Sequence, residues 1–381
     1  MSRVLILGGG FGGLAAAREL RTAHPDLEVT LVSAADAFYM GFAKLWDLAG
    51  TRPLAAGTRS LTALEDRGVR FVPAEVTAID PASCTAETTA GTIEADALLV
   101  ALGAGPSPAH RELLSGEGAF DLYDGRELPG MHAALDAVDE GRVLVSILGG
   151  PFKCPPAPFE AALLVDERLR AQGVRDRVGV AISTPQPITL PVAGPDASRY
   201  VAGFLAERDI ELFAESPVTA VDGAARVVTF GDGSTTDYRV LLGVPASAPP
   251  PVVAGSGLAA PSGWIEPDRH TLATGMERVY AVGDCTNIPN AIGALPKAGV
   301  FAAAQGEVAA ANIAADLLGT ERAHFDGHGF CFLELPGEKV AYVEGDFYAE
   351  PRPAVTLTEA DDAQFRAKQA YEQERLTAWL G

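Results

Sequence analysis

The sequence RVLILGGGFGGLAAARELRTA, residues 3–23, decides the fold. Its aliphatic start predicts a buried parallel strand that ends at a run of glycines. A helical pattern over 14–22 follows, and a second aliphatic strand is predicted from Glu28 to about Val32. A strand, a glycine-rich turn, a helix and a strand in this order predict a βαβ unit.

Three glycines in this stretch, Gly8, Gly10 and Gly13, have the G-x-G-x-x-G spacing of dinucleotide-binding turns. The first permits the tight turn, the second lets the backbone approach a diphosphate, and the third lets the helix pack on the strand. The helix N-terminus then presents free N–H groups to the diphosphate. We therefore expect a dinucleotide cofactor, with Phe11 and Gly12 in its binding turn.

The ends of two neighbouring strands add candidate cofactor contacts. An acidic residue that holds a ribose usually ends the second strand, but Ser33 occupies that position here. This departure argues against NAD more than against a dinucleotide in general. The stretch ALLVALG, residues 97–103, ends in small residues, as a chain does where it passes close beneath a cofactor. Gly103 is therefore a further candidate.

The composition excludes several classes of protein. The 381 residues include 29 basic and 50 acidic side chains, and the net charge of −21 argues against binding to nucleic acid or to an anionic membrane surface. Because there is no run of about 18 apolar residues and no signal peptide, we expect a cytoplasmic protein. The four cysteines show no zinc-like spacing, so no metal site is expected.

A second α/β unit begins with a strand over 142–148 and lacks a second glycine fingerprint. The turn after this strand reads GGPFKCPP, residues 149–156, in which a phenylalanine, a lysine and three prolines replace the glycines that a diphosphate needs. The unit closes near Val244 and a proline-rich linker occupies 245–251. A later strand ends in Gly283-Asp284, and a long small-residue helix over 299–318 follows.

This order of motifs resembles the layout of flavoproteins with two dinucleotide-binding domains. Within that superfamily, the chain resembles sulfide:quinone oxidoreductases and the flavoprotein subunit of flavocytochrome c sulfide dehydrogenases. The specific matches are Cys154 with Glu160 six residues later, the run LPKAG at 295–299, and Cys331 within GFCF at 329–332. The resemblance spans nearly the whole chain.

The resemblance implies an α/β fold with two Rossmann-like domains and a small C-terminal α+β region. We expect the two parts of the FAD-binding domain at 1–108 and 246–320. The inserted NAD-like domain is expected at 109–245, and the C-terminal region at 321–381.

The resemblance also implies roles for individual residues. Cys154 and Cys331 would form a redox-active disulfide, with Cys331 on the flavin side and Cys154 carrying a persulfide. Glu160 would act as a general base. Asp284, after Gly283, would bind the FAD ribityl chain, and Lys297 would stabilise negative charge on the reduced flavin. The implied donor is sulfide or a small thiol, and the implied acceptor is a quinone or another electron acceptor.

Departures from the family shape these expectations. The third family cysteine is missing, and no cysteine near the second strand could tether FAD, so we expect non-covalent FAD. Each assigned residue also has an ordinary structural reading. Cys154 and Cys331 would then be core thiols, Glu160 a solvated acid in the first helical turn, and Lys297 a surface lysine.

Three further alternatives stay open. One is an NAD(P)H-dependent quinone or disulfide reductase, and another is a flavin or redox sensor without catalysis. The third concerns the charged final helix, where Leu376, Trp379 and Leu380 recur at helical spacing. This apolar corner predicts packing or a homodimer contact, and a shallow membrane contact is the remaining alternative.

Overall fold

A computed structural model describes residues 1–381. Its first layer is a parallel five-stranded sheet, built around the βαβ unit and completed by a strand from much later in the chain. The strands lie in the order Val279–Ala281, Ala97–Val100, Arg3–Leu7, Glu28–Ser33 and Val69–Pro73.

A second parallel sheet forms from the middle of the chain, and its central strands are buried. Helices cover one face, and Val218, Val228 and Phe230 of a small antiparallel sheet pack on the other. The strands lie in the order Ala119–Asp121, Val240–Val244, Gly141–Ile147, Val178–Ser183 and Ile210–Phe213. The two sheets confirm the predicted fold class of two Rossmann-like units.

Nine helices accompany the sheets, numbered here in chain order. They are α1 (Phe11–Ala23), α2 (Ala43–Ala49), α3 (Pro108–Leu113), α4 (Leu128–Ala137), α5 (Ala157–Ala171), α6 (Gly194–Glu207), α7 (Pro251–Gly255), α8 (Gly299–Leu318) and α9 (Asp362–Leu380). The single-turn 3-10 helices are Leu54–Gly57, Gly125–Glu127, Pro191–Ala193 and Gly283–Cys285, and a longer one spans Leu61–Arg67.

Smaller antiparallel sheets complete the fold. Three of them have three strands each: Val76–Asp80, Thr85–Thr88 and Gly91–Glu94; Val218–Asp222, Val227–Phe230 and Thr235–Asp237; His328–Leu335, Lys339–Asp346 and Ala354–Leu357. Three pairs have two short strands each: Ala37–Phe38 with Arg59–Ser60, Gly105–Pro106 with Ser247–Ala248, and Pro289–Asn290 with Gly293–Ala294. The segment expected to be a linker at 245–251 therefore contains one strand of a pair and the first residue of α7.

The C-terminal region packs against both larger units. Leu333 and Leu335 join the core of the second sheet, whereas Leu376, Trp379 and Leu380 of α9 are buried in the core of the first. The apolar corner of α9 is therefore internal, and these side chains do not present a surface to a membrane or a second copy. No helix combines the length and the apolar character needed to cross a membrane.

Candidate functional site

The glycine-rich turn has the geometry that its spacing predicts. Gly8 has φ +115°, and a Cβ there would lie 2.1 Å from the backbone O of Ala101. A Cβ on Gly13 would lie 1.9 Å from the backbone O of Gly8, so the helix packs directly on the turn. Gly10 is different, because no atom lies within 4 Å of the position its Cβ would take. The open side of Gly10 leaves room for a group to approach the backbone.

Neighbouring candidates line the same region. Gly12 is buried where α1 crosses α8, since a Cβ on Gly306 would lie 2.2 Å from the backbone O of Gly12. The Phe11 ring packs edge-on against Phe38 at 5.1 Å between centroids. Ser33 is buried at the end of its strand, and its Oγ accepts a hydrogen bond from the N–H of Ala35.

Two connected cavities run along these residues. A cleft of about 1000 Å³ is lined by Gly8, Gly10, Ser33 and Gly103. A second cavity of about 360 Å³ shares Gly10 and Gly103 with it and extends towards the C-terminal sheet. The candidate residues that line this second cavity are Phe11, Gly12, Cys154, Glu160, Gly283, Asp284, Lys297 and Cys331. The fold thus gathers residues from five separate segments around one space.

Asp284 faces this cavity without a partner from the chain. Its carboxylate accepts no hydrogen bond within the protein, and burial raises its pKa, although the charges of Lys153 and Lys297 oppose that rise. The preceding Gly283 has φ +74°, and its N–H donates to Gln305 Oε1 at 2.8 Å. A carboxylate held this way is suited to accept hydrogen bonds from hydroxyl groups of a bound molecule.

The structure brings Cys154 and Cys331 together, and both are free thiols. The neighbouring Cys154 thiol, followed by burial, raises the pKa of the Cys331 thiol well above its ordinary value. Cys331 lies on the strand His328–Leu335, and Cys154 lies in the turn before α5. Two segments from different parts of the fold therefore meet at these sulfurs.

The turn that carries Cys154 is fixed from two sides. The N–H of Cys154 donates to the backbone O of Lys297 at 2.8 Å, and the hydroxyl of Tyr123 donates to the backbone O of Lys153 at 2.6 Å. Cys154 itself has φ +49°, a left-handed conformation that is uncommon for a residue with a side chain. Such strained positions concentrate at functional sites.

Glu160 is buried rather than solvated, at 1% exposure. Its Oε1 accepts hydrogen bonds from the N–H of Glu334 at 2.7 Å and from Lys368 Nζ at 3.2 Å. Burial raises the pKa of Glu160, and the Lys368 charge partly offsets this rise. Lys368 also donates to Glu334 Oε2 at 2.7 Å, and Trp46 Nε1 donates to the same oxygen at 2.8 Å.

This buried network was not expected from the sequence. One signal was available, because Lys368 and Glu372 fall on the same helical stripe of α9 as Leu376 and Trp379. Glu334 had no comparable signal. Tyr123 and Lys44, which also line the cavity, were missed as well. Burial lowers the pKa of Lys44 to about 8, and its ammonium donates to the backbone O of Tyr123.

Lys297 lines the cavity, and its ammonium is bound by backbone oxygens. Its Nζ donates to the backbone oxygens of Asp284 at 2.8 Å and Thr286 at 3.0 Å, and it lies 3.5 Å from the centre of the Trp264 ring. Burial lowers its pKa to about 8. The ammonium therefore orders the segment that carries Asp284, and the N-terminus of α8, which begins at Gly299, is left to face the cavity.

The other two cysteines lie apart from the thiol pair. Cys285 is fully buried, its thiol donates to the backbone O of Val282 at 3.3 Å, and burial raises its pKa to about 11. Cys84 is buried in the core beside the first sheet, and burial raises its pKa. Neither lines the cavity that holds Cys154 and Cys331.

Comparisons with known proteins agree with this geometry. Residues 2–306 match the pyridine nucleotide-disulphide oxidoreductase family. The chain is 24% identical over 365 residues to the mitochondrial sulfide:quinone oxidoreductase of Mus musculus, with 91% of this chain and 79% of the relative covered. It is 28% identical over 310 residues to the sulfide-quinone reductase of Aquifex aeolicus, with 75% and 69% covered.

A relative with a different name also matches. The type II NADH:quinone oxidoreductase of Staphylococcus aureus is 25% identical over 386 residues, with 90% of this chain and 93% of the relative covered. Among solved structures, the sulfide:quinone oxidoreductase of Aquifex aeolicus superposes with a TM-score of 0.87 at 24% identity, covering 98% of this chain and 90% of that one. The chain therefore belongs to the pyridine nucleotide-disulphide oxidoreductases, a family of FAD-binding oxidoreductases.

Proposed function

We propose that the chain oxidises sulfide or a small thiol through Cys154 and Cys331 and passes the electrons by way of non-covalent FAD to a quinone or another acceptor. The observation that carries this proposal is the meeting of the two thiols at the cavity that Asp284 and the glycine-rich turn also line. The relatives named for sulfide and quinone support the choice of donor and acceptor. We further propose that the protein acts in the cytoplasm.

The residues present fit FAD. The open side of Gly10, at the N-terminus of α1, suits a diphosphate, since the first N–H groups of a helix have no partner within it. The unpartnered carboxylate of Asp284 suits a ribityl hydroxyl. The N-terminus of α8 suits a ring that gains negative charge. Bound FAD supplies a two-electron acceptor beside the thiols.

The thiol pair accounts for the sulfur chemistry by disulfide exchange. Hydrosulfide attacks the Cys154 sulfur of the oxidised pair, so a new S–S bond forms on Cys154 while the bond to Cys331 breaks. Cys331 leaves as the thiolate. Cys154 is left with one added sulfur atom as a persulfide. Once a second hydrosulfide or thiol has taken the added sulfur from Cys154, the two thiolates would rejoin as the disulfide and their two electrons would pass to bound FAD.

Glu160 lies where it can accept a proton during this exchange. It lines the cavity of the two thiols, and its negative charge contributes to the raised pKa of Cys331. Because burial raises its own pKa, it binds a proton more readily than an ordinary glutamate. In the proposed reaction it takes the proton of hydrogen sulfide or of a small thiol.

The rival is an NAD(P)H-dependent quinone reductase, favoured by the Staphylococcus aureus relative. Such an enzyme needs a second diphosphate site at the start of α5. There the helix is preceded by Pro155 and Pro156, which have no N–H to donate, and the buried Glu160 lies in its first turn. These features disfavour an anion at this helix N-terminus.

An anaerobic reduction experiment separates the two functions. The purified yellow protein is mixed with sulfide, and in a separate sample with NADH or NADPH, while flavin absorbance is followed. We expect sulfide to bleach the flavin rapidly and the nicotinamides to act far more slowly. Fast, saturable bleaching by NADH would favour the rival, and bleaching by no donor would favour the sensor.

A further inference from the structure

Lys153 lines three neighbouring cavities. It lines the 360 Å³ cavity of the two thiols and the 1000 Å³ cleft. It also lines a separate polar pocket of about 180 Å³, whose walls include Arg111, Asp121 and Arg126. Tyr39 and Tyr123 line both this pocket and the thiol cavity, so they and Lys153 separate the two spaces.

The backbone holds Lys153 at this junction. Its carbonyl accepts the hydrogen bond from the Tyr123 hydroxyl, and Lys153 pairs with Lys297 in an isolated parallel β-bridge. The next residue is Cys154. The ammonium therefore belongs to a residue with a fixed backbone, directly before the residue whose sulfur the proposed reaction attacks.

The Lys153 ammonium has no direct partner in the chain, although its charge acts on the nearby carboxylates of Asp284 and Asp121. It forms no ion pair or hydrogen bond within the chain. Among the other basic groups nearby, Arg126 is paired with Asp124 and the Lys44 ammonium donates to a carbonyl. Arg111, which is exposed, lines the polar pocket as a second cation without an ion pair. In a protein of net charge −21, basic side chains gather at this junction.

We propose that Lys153 binds a small sulfur anion of hydrosulfide size that enters through the polar pocket, and holds it beside Cys154. The proposal rests on the function proposed above and adds the charge state of the substrate and its route. An unpaired ammonium attracts an anion and raises its local concentration. The small volume of the pocket favours a compact anion over a bulky thiol.

Alkylation of the reduced, FAD-loaded protein tests whether the Lys153 charge attracts an anion to the thiols, and it requires no sulfide oxidation. Iodoacetate is an anion and iodoacetamide is neutral but otherwise similar, so the ratio of their rates at Cys154 and Cys331 reports local positive charge. Peptide mass spectrometry assigns the sites, with the buried Cys84 and Cys285 as internal controls. Lys153→Gln should lower the ratio about 5-fold, the effect of one unit charge about 4 Å away in water. Lys153→Arg should restore it.

Arg126→Gln is the matched control, because Arg126 lines the same pocket but forms an ion pair with Asp124. The ratio of the two alkylation rates in this variant should stay at the wild-type value. An unchanged ratio in Lys153→Gln would overturn the inference even if sulfide bleaches the flavin. Loss of FAD from Lys153→Gln would also overturn it, because the lysine would then hold the cofactor. A lowered ratio in a protein that sulfide does not reduce would support the anion site while contradicting the proposed function.

Discussion

Lys368 Nζ donates a hydrogen bond to Glu160 Oε1 at 3.2 Å, although 208 positions separate the two residues. A second bond, at 2.7 Å, joins Lys368 to Glu334 Oε2. Glu160 belongs to α5, which follows Cys154, and Glu334 lies on the strand of Cys331. This buried network from α9 therefore ties together the two segments that carry the thiols.

Replacing Lys368 with methionine should destabilise the protein by about 3–5 kcal/mol, because it leaves two buried carboxylates without their cation. Urea unfolding measures the loss. Arg366→Met on the same helix is the control, since the Arg366–Asp362 pair is exposed and its loss should cost about 0.5 kcal/mol or less. Equal stability of the two variants would show that the network does not hold α9 in place.

The pH dependence of that loss has a definite sign. Burial alone lowers the pKa of Lys368, but Glu160 and Glu334 outweigh it and hold the pKa above its ordinary value of 10.5. The folded protein thus binds this proton more tightly than the unfolded chain does. The difference between wild type and Lys368→Met should be fully present from neutral pH up to 10.5 and shrink above it. A difference that vanishes near neutral pH would contradict this assignment.

Glu160→Gln should slow flavin reduction by sulfide about 100-fold, the scale of a lost general base. The amide oxygen can still accept the N–H of Glu334, so FAD content should be unchanged. Because the pKa of Glu160 is raised, the wild-type rate should fall in acid at a pH above that of an ordinary glutamate, and the variant should lose this fall. Glu167→Gln, farther along α5, is the control, and a matching effect there would remove Glu160 from the mechanism.

Gly10→Ala separates cofactor binding from folding. The backbone φ of −90° suits alanine, and no atom lies within 4 Å of the new Cβ, so the unfolding temperature without FAD should be close to wild type. FAD should bind about 5- to 100-fold more weakly, because the methyl group fills the space needed by the diphosphate, at about 1–3 kcal/mol. Gly203→Ala on α6 is the control. If Gly10→Ala binds FAD as tightly as wild type does, the diphosphate does not lie beside Gly10.

The fold was predictable where its signals are local. The turn at 8–13 and its flanking strands follow from spacing and aliphatic character alone. The helix nevertheless begins at Phe11 rather than near Leu14, because Gly12 is needed for the close crossing with α8. The strand Ala354–Leu357 was missed, since it is short and the prolines before it read as a break.

The site was only partly predictable, because its decisive contacts join distant segments. Family resemblance indicated Cys154 and Cys331, but only the fold shows that they meet. Lys297 was expected at the cofactor, yet no pattern along the chain indicates that its ammonium turns to the backbone of Asp284 and Thr286. Lys368 reads in sequence as one of many charges on α9, and its burial depends on carboxylates contributed by α5 and the C-terminal sheet.

The most direct test of the central claim is the rate of flavin reduction by sulfide in two single variants, Cys154→Ser and Cys331→Ser, measured anaerobically by rapid mixing. Both should keep FAD and lose the reaction on the order of 10³-fold or more, as expected when a nucleophile is removed. Cys84→Ser, which changes a thiol remote from the cavity, should react at the wild-type rate. Reduction at the wild-type rate in either Cys154→Ser or Cys331→Ser would contradict the account.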